Sequence, residues 1–230
     1  MTLYETIFKR RSVRKYDMTP LDEKTLDDIR AFIANTKQLP GQNARFEIVP
    51  EDKVKGASAP HYIMSFCNPG DAEYANVGYV LERADLYIQS LGLGSLWLGF
   101  GKQKEKESDF CIMLAFGQST VPFRASAQEF NRLSIIEISN SDNSIVQAVR
   151  LAPSACNSQP WKLFFEDGHV TVRYFGRGLT QMLLKPKMSK IDMGIIMRHL
   201  VTTLEHEGRE IKSITPKTSG KDFEIEIIYE

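Results

Sequence analysis

Arginines and a serine are concentrated near the start of the chain, where residues 10–14 read RRSVR. Guanidinium groups bind phosphate oxygens through paired hydrogen bonds, and a hydroxyl adds a further hydrogen bond without adding charge. Arg10, Arg11, Ser12 and Arg14 are therefore candidates for binding a phosphate monoester. A short basic run is also typical of a solvated surface, so this segment alone leaves both interpretations open.

A second segment, residues 152–161, reads APSACNSQPW and favours a rigid loop that presents polar side chains. Pro153 and Pro160 restrict the backbone, and Trp161 is expected to anchor the end of the loop in the core. Between the prolines stand Ser154, Asn157 and Gln159, whose donors and acceptors can match the edge of a planar heterocycle. An ordinary turn after a helix is the alternative, because Asn, Ser and Pro are common turn residues.

A third segment is rich in glycine, since residues 90–101 read SLGLGSLWLGFG. Glycines leave backbone N–H groups open to close approach by a ligand. The spacing does not predict a dinucleotide site of the GxGxxG type, because such a site needs a strand before the glycines and here they follow a predicted helix. The alternative is a glycine-rich stop at the end of that helix.

The elements that would position these segments follow from hydrophobic periodicity and from strand-forming composition. Helices are predicted over residues 2–9, 21–36, 75–91, 145–151 and 191–207. Strands are predicted over residues 46–49, 62–67, 111–116, 162–165, 170–175 and 223–229. In this order the second half of the chain repeats the helix-strand-strand-helix-strand plan of the first half.

Matches between individual residues support the repeat. The triplet Asn76-Val77-Gly78 corresponds to Asp192-Met193-Gly194, 116 positions later, and the run HYIMSFC at residues 61–67 parallels HVTVRYF at residues 169–175. We therefore predict two related halves, residues 1–121 and 122–230, that are fused into one compact unit with a connector over residues 122–131. Generic α+β patterning is the alternative explanation.

The composition narrows the class of partner. Lysine plus arginine (29) balances aspartate plus glutamate (29), which argues against nucleic acid or an anionic membrane and favours a small molecule. We expect a cytoplasmic protein, because no apolar run is long enough to span a bilayer and residues 1–11 lack the pattern of a signal peptide. The three cysteines have no spacing suited to zinc and are predicted to be free thiols.

Taken together, the three segments resemble the nitroreductase family of FMN enzymes, and in particular its branch with two halves fused in one chain. The resemblance implies an α+β fold in which mixed and antiparallel sheets are surrounded by helices and the two halves form a pseudo-dimer. A monomer would then contain the site that two subunits build in other members.

The resemblance also implies a set of cofactor-binding residues. Arg10, Arg11, Ser12 and Arg14 would hold the phosphate of FMN and reach the flavin. The isoalloxazine ring would be contacted by Pro153, Ser154, Ala155 and Asn157, with Gln159 in support, and by the backbone at Leu98 and Gly99. Arg14 is the first choice for a cation that stabilises the reduced ring, and Lys185 and Lys187 are weaker candidates.

Each half keeps one of the two motifs. Where a proline loop would fall in the first half, residues 39–46 read LPGQNARF and lack the Pro-Ser and Gln-Pro-Trp elements. One FMN per chain is therefore expected.

The activity implied by the resemblance is that NADH or NADPH reduces FMN and departs, after which the flavin reduces a nitroaromatic, quinone or enone in a ping-pong sequence. No catalytic side chain is expected, because the flavin carries the chemistry. The alternative is a non-catalytic flavin-binding sensor, store or interaction module.

Overall fold

The computed structural model describes residues 1–56, 58–176, 186–219 and 222–230. Its helices are α1 (Leu3–Ile7), α2 (Glu23–Ala34), α3 (Asp71–Ser90), α4 (Ile135–Ile138), α5 (Ser144–Val149) and α6 (Pro186–His206). Its strands are β1 (Tyr16–Asp17), β2 (Arg45–Pro50), β3 (Val54–Lys55), β4 (His61–Phe66), β5 (Gly94–Leu98), β6 (Lys102–Gln103), β7 (Phe110–Ser119), β8 (Trp161–Glu166), β9 (His169–Tyr174), β10 (Ile211–Ser219) and β11 (Asp222–Tyr229).

Two antiparallel sheets carry the fold. In the first, β2 pairs with β4, β4 with β7, and β7 with both β1 and β5. In the second, the strand order is β8-β9-β11-β10. Without β1, the first sheet has the order β2-β4-β7-β5. In both sheets, therefore, the strand that comes last in the sequence lies between the second and the third. This arrangement of helices and antiparallel strands confirms the predicted α+β class.

The centre of the molecule is the crossing of α3 and α6, whose residues are almost all buried. The helices touch through backbone atoms at two glycines. A Cβ atom added to Gly78 would lie 2.0 Å from the carbonyl oxygen of Ile191, and one added to Gly194 would lie 1.8 Å from that of Ala75. Because 116 positions separate both Ala75 from Ile191 and Gly78 from Gly194, the two contacts are reciprocal.

Most predicted elements are present, with shifted ends. The predicted helix over residues 21–36 is α2, which Asp22 caps by accepting a hydrogen bond from the Thr25 backbone N–H, and Leu26, Ile29 and Ile33 form its buried face. The helix predicted to begin at residue 75 begins at Asp71. It ends before Gly92, which has φ of 90°, so the predicted glycine stop is confirmed.

Three strands in the two sheets were not predicted, namely the two-residue β1 and the longer β5 and β10. The glycine-rich segment continues directly into β5, which pairs with β7. Strand β10, sequence IKSITPKTS, carries little hydrophobic signal because it lies at the edge of its sheet and is mostly outside the core. None of the helices in the described ranges has the length and apolar content needed to cross a bilayer.

Candidate functional site

Two neighbouring cavities are each lined by residues from both halves of the chain, 1–121 and 122–230. The first, of about 240 Å³, is here called the apolar cavity, and its lining includes Leu96, Trp97, Phe100, Ile112, Met188, Ile191 and Ile195. The second, of about 740 Å³, is here called the basic cavity, and its lining includes Arg10, Arg11, Arg14, Lys15, Arg124 and Arg132. Both are lined by Ser12, Arg14, Pro153, Ser154 and Cys156. The arginine motif and the proline loop, which are more than 130 residues apart, therefore meet at one place.

Backbone contacts with β5 fix the arginine motif. The Val13 N–H donates a hydrogen bond of 2.8 Å to the Ser95 carbonyl oxygen, and Ser12 forms a parallel bridge with Ser95. The Val13 side chain is buried against Gly94, where an added Cβ would lie 2.8 Å from Val13 Cγ2. A side chain at position 94 would therefore push the motif away from the sheet.

Arg10 is bound by carboxylates inside the protein. It is 2% exposed, and its Nη2 lies 2.9 Å from Asp85 Oδ2 while its Nε lies 3.8 Å from Glu82 Oε1. Burial alone would lower the pKa of Arg10, but the attraction of Asp85 and Glu82 outweighs it and raises that pKa. Arg10 lines the basic cavity, yet its charge is compensated, so its role in this structure is to anchor the motif rather than to offer a free cation.

The other two arginines of the motif differ in availability. Arg11 pairs with Glu129 at 3.2 Å. Arg14 is exposed, lines both cavities and forms no ion pair with any residue in the described ranges. Arg14 is therefore the cation of the motif that can bind a ligand without first giving up a carboxylate.

Two arginines that the sequence analysis did not select complete the basic cavity. Arg124 donates a hydrogen bond to the Arg10 carbonyl oxygen, and Arg132 donates one of 3.0 Å to the Leu151 carbonyl oxygen. Burial, followed by repulsion from Arg10 and other arginines, lowers the pKa of Arg124 and brings that of Arg132 to about 9. Cations whose charged forms are disfavoured by burial and by one another are stabilised by a bound anion.

The proline loop holds an unusual backbone. Cys156, Asn157 and Gln159 have φ of 52°, 54° and 47°, in the left-handed region that non-glycine residues rarely adopt. Such conformations cost free energy and persist where the surroundings impose them. The buried Gln159 ties this loop to its surroundings, since its Oε1 accepts a hydrogen bond from the Leu133 N–H and its backbone N–H donates to Ser154 Oγ. Trp161, fully buried, anchors the loop as predicted.

The predicted ring-binding residues are distributed unevenly. Gly99 and Ala155 line the apolar cavity, together with Pro153 and Ser154. Asn157 lines only the basic cavity, and its Oδ1 accepts a hydrogen bond of 2.7 Å from Arg132, so it orients an arginine. Leu98 and Gln159 line neither of these cavities.

Of the two lysines proposed as alternatives to Arg14, the one that the structure describes is not at the cavities. Lys187 lines neither of them, and its Nζ donates a hydrogen bond of 2.6 Å to the Cys111 carbonyl oxygen. Lys185 lies outside the described residues. Of the two candidates that the structure describes, Arg14 is thus the one that lines the cavities.

One acidic residue lines the apolar cavity. Asp192, on α6, is 2% exposed, and its Oδ1 accepts a hydrogen bond of 3.0 Å from the Ala155 N–H. Its Oδ2 has no hydrogen-bond partner in the described part of the chain. Burial raises the pKa of Asp192 to about 8, although the hydrogen bond from Ala155 opposes the rise. The sequence signal for it was its position in the triplet that matches Asn76-Val77-Gly78.

The cavities suit an elongated ligand with an anionic end and a flat apolar part, which is the chemistry of FMN. Among the described residues, arginines without a carboxylate partner line one end, and an apolar space with one buried acid lies at the other. No group of three or more side chains able to hold a metal ion occurs among the residues that the structure describes.

Solved structures of other proteins resemble this chain to different degrees. A protein from Thermotoga maritima described as a "putative nitroreductase" is 22% identical, with a TM-score of 0.72 over 99% of this chain and 94% of that one. A nitroreductase family protein from Clostridium difficile is 17% identical, with a TM-score of 0.51 over 62% of this chain and 100% of that one. A "putative nitroreductase" from Desulfovibrio desulfuricans, solved in complex with FMN, is 17% identical, with a TM-score of 0.46 over 62% of this chain and 98% of that one.

At the level of sequence, no curated protein matches the chain. The model of the family described as "Putative TM nitroreductase" does match it, over residues 2–204. This match covers far more than half of the 230 residues and both motifs that meet at the cavities. The chain belongs to the nitroreductase family.

Proposed function

We propose that this protein is an FMN-dependent oxidoreductase of the nitroreductase type, which takes reducing equivalents from NADH or NADPH and passes them to a small acceptor such as a nitroaromatic, quinone or enone. The observation that carries the proposal is the meeting of the basic and apolar cavities at Ser12, Arg14, Pro153, Ser154 and Cys156. One ligand can lie across this junction with its phosphate among arginines and its ring between apolar side chains.

The phosphate would be held by Arg14, Arg124 and Arg132. These three line the basic cavity without an ion pair to a carboxylate among the described residues, whereas Arg10 and Arg11 each have one. A dianionic phosphate would relieve the repulsion that lowers the pKa values of Arg124 and Arg132. Ser12 would add a hydrogen bond at the junction of the cavities.

The ring would occupy the apolar cavity. Bound FMN supplies the hydride chemistry, and the protein needs to orient the cofactor and exclude water. Trp97, Met188 and Ile191 provide apolar walls, while Gly99 lacks a side chain and leaves its backbone accessible at the cavity. Pro153 and Ser154, on the strained loop, close the junction on the opposite side.

A pseudo-dimer with one FMN per chain is part of this proposal. The reciprocal contacts of Gly78 and Gly194 and the corresponding strand orders support a two-fold relation between the halves. The arginine motif comes from one half and the proline loop from the other, so a single chain suffices to form the site.

The proposal is tested by spectroscopy of the purified protein. We expect absorbance bands at about 370 and about 450 nm from bound flavin, one FMN per chain on titration, and weaker FMN binding by Arg14→Ala. NADH or NADPH should bleach the band at about 450 nm, and a quinone should restore it. Colourless protein that gains no thermal stability from FMN would refute flavin binding. Protein that binds FMN but is bleached no faster than free FMN would be a binding module instead.

A further inference from the structure

The buried carboxyl group of Asp192 has a counterpart in the first half of the chain. Asn76 stands 116 positions earlier on α3, and its Oδ1 accepts a hydrogen bond of 2.8 Å from the Leu39 N–H. Asp192 Oδ1 accepts one of 3.0 Å from the Ala155 N–H, and Leu39 and Ala155 are also 116 positions apart. The same oxygen therefore makes the same backbone contact in both halves.

The other terminal atom of the side chain differs between Asn76 and Asp192, being Nδ2 in the first and Oδ2 in the second. Asn76 Nδ2 is a donor and gives its hydrogen bond to Gln38 Oε1 at 2.7 Å. The residue that corresponds to Gln38 is Ser154, whose side chain is too short to make the equivalent contact with Asp192. Ser154 lines both cavities. Asp192 Oδ2 consequently has no partner among the described residues, and Asp192 lines the apolar cavity. The position that holds a bonded donor in one half is thus held in the other by a buried oxygen without a partner among the described residues, on a side chain that lines the apolar cavity.

Among the residues that the structure describes, no cation forms an ion pair with Asp192. On its own helix, Lys190 is paired with Asp71 at 3.0 Å and Lys187 donates to a backbone oxygen. From the facing elements, Arg14 of the arginine motif and Cys156 of the proline loop line the same cavity, and neither forms a hydrogen bond or ion pair with Asp192. An ionised carboxylate at this depth would be costly to bury, and the raised pKa of Asp192, about 8, agrees with a neutral acid near pH 7.

We propose that Asp192 is a ring-binding residue that acts as a neutral carboxylic acid, with its Oδ2–H donating a hydrogen bond to an acceptor on the edge of the flavin. This inference rests on the proposed FMN site and deepens it. The donor takes the place that Asn76 Nδ2 holds in the first half. Ionisation of Asp192 would remove the donor and place a negative charge beside ring oxygens and nitrogens, so only the protonated form binds the flavin tightly.

The affinity for flavin should therefore fall as the pH rises through the pKa of Asp192, by about tenfold for each pH unit above about 8. Arg132, with a pKa of about 9, also loses charge at alkaline pH and would weaken the hold on a phosphate. Riboflavin has no phosphate, so its binding isolates the ring. Asp192→Asn keeps a neutral donor and acceptor but cannot ionise.

The test is a fluorescence titration of the full chain with FMN and with riboflavin at about pH 7 and about pH 9, using wild type, Asp192→Asn and, as a control, the exposed Asp52→Asn. We expect the Kd of wild type and Asp52→Asn for riboflavin to rise about tenfold between these pH values, and that of Asp192→Asn to change less than about twofold. Equal rises in wild type and Asp192→Asn would overturn the inference while leaving the FMN site intact.

Two outcomes outside this comparison are also decisive. If Asp192→Asn does not fold, wild type alone suffices, because a riboflavin Kd that stays constant between the two pH values overturns the inference. If wild type binds neither FMN nor riboflavin at either pH, the proposed function itself fails, and the inference falls with it. The two failures are therefore distinguishable.

Discussion

The ionisation of Asp192 has a consequence for folding that can be measured without any ligand. In the folded protein its pKa is about 8, against an ordinary value of 3.8. The neutral acid therefore contributes stability that is present at low pH and is lost as the pH rises toward 8. One pKa unit corresponds to about 1.4 kcal/mol, so between about pH 5 and about pH 8 the folded state loses about 4 kcal/mol through this group alone. Asp192→Asn has no group to ionise and should not show this loss.

The assay is urea unfolding of the flavin-free protein at about pH 5 and about pH 8, for wild type and Asp192→Asn, with Asp52→Asn as the matched control. Wild type and Asp192→Asn share every other titrating group, so the difference in their free energies of unfolding isolates this carboxyl group. Between the lower and the higher pH, we expect wild type to lose about 4 kcal/mol of unfolding free energy relative to Asp192→Asn. The Asp52→Asn control should behave as wild type. A shift smaller than about 0.5 kcal/mol would refute the argument that Asp192 is buried as a neutral acid.

Further predictions concern the phosphate end, the helix crossing and the buried ion pair. Arg132→Ala should weaken FMN binding by about tenfold to a hundredfold in a fluorescence titration and leave riboflavin binding unchanged, whereas the exposed Arg30→Ala should affect neither. Gly194→Ala should lower the free energy of unfolding in urea by more than about 3 kcal/mol because its Cβ meets backbone atoms, while Gly70→Ala, whose Cβ has room, should lower it by less than about 1 kcal/mol. Arg10→Ala should cost about 3–5 kcal/mol in the same assay, since it leaves buried carboxylates unpaired; an unchanged unfolding midpoint would show that this pair does not anchor the motif.

The sequence was most informative where local chemistry is strong. The run Arg10 to Arg14 and the prolines that frame residues 153–160 are unusual compositions, and the structure brings the two segments to one junction. The helices α3 and α6 were predicted because apolar residues recur along them at helical spacing. Strand β10 was missed because it is an edge strand, where packing imposes little hydrophobic pattern.

The site residues that were missed depend on tertiary contacts. Arg132 is an ordinary arginine near a predicted connector, and it becomes part of the basic cavity only because Asn157 and the Leu151 carbonyl oxygen hold it there. Arg10 was selected as a phosphate-binding candidate, but nothing local in the sequence indicates its ion pair with Asp85 of α3. Periodicity reports which face of a helix is buried, but not which charged partner a distant segment supplies.

The comparison of positions 38 and 154 argues for a single flavin site in each chain. Gln38 uses its side chain completely in the first half: its Oε1 accepts hydrogen bonds from Asn76 Nδ2 and from the Ala44 N–H, and its Nε2 donates to the Ala44 carbonyl oxygen. Ser154 is too short to make these contacts, so the corresponding space in the second half adjoins the two cavities. Gln38 closes its loop on itself in the first half, whereas Ser154 leaves the loop open in the second, and this difference would explain why the proposed ring site lies at only one of the two loops.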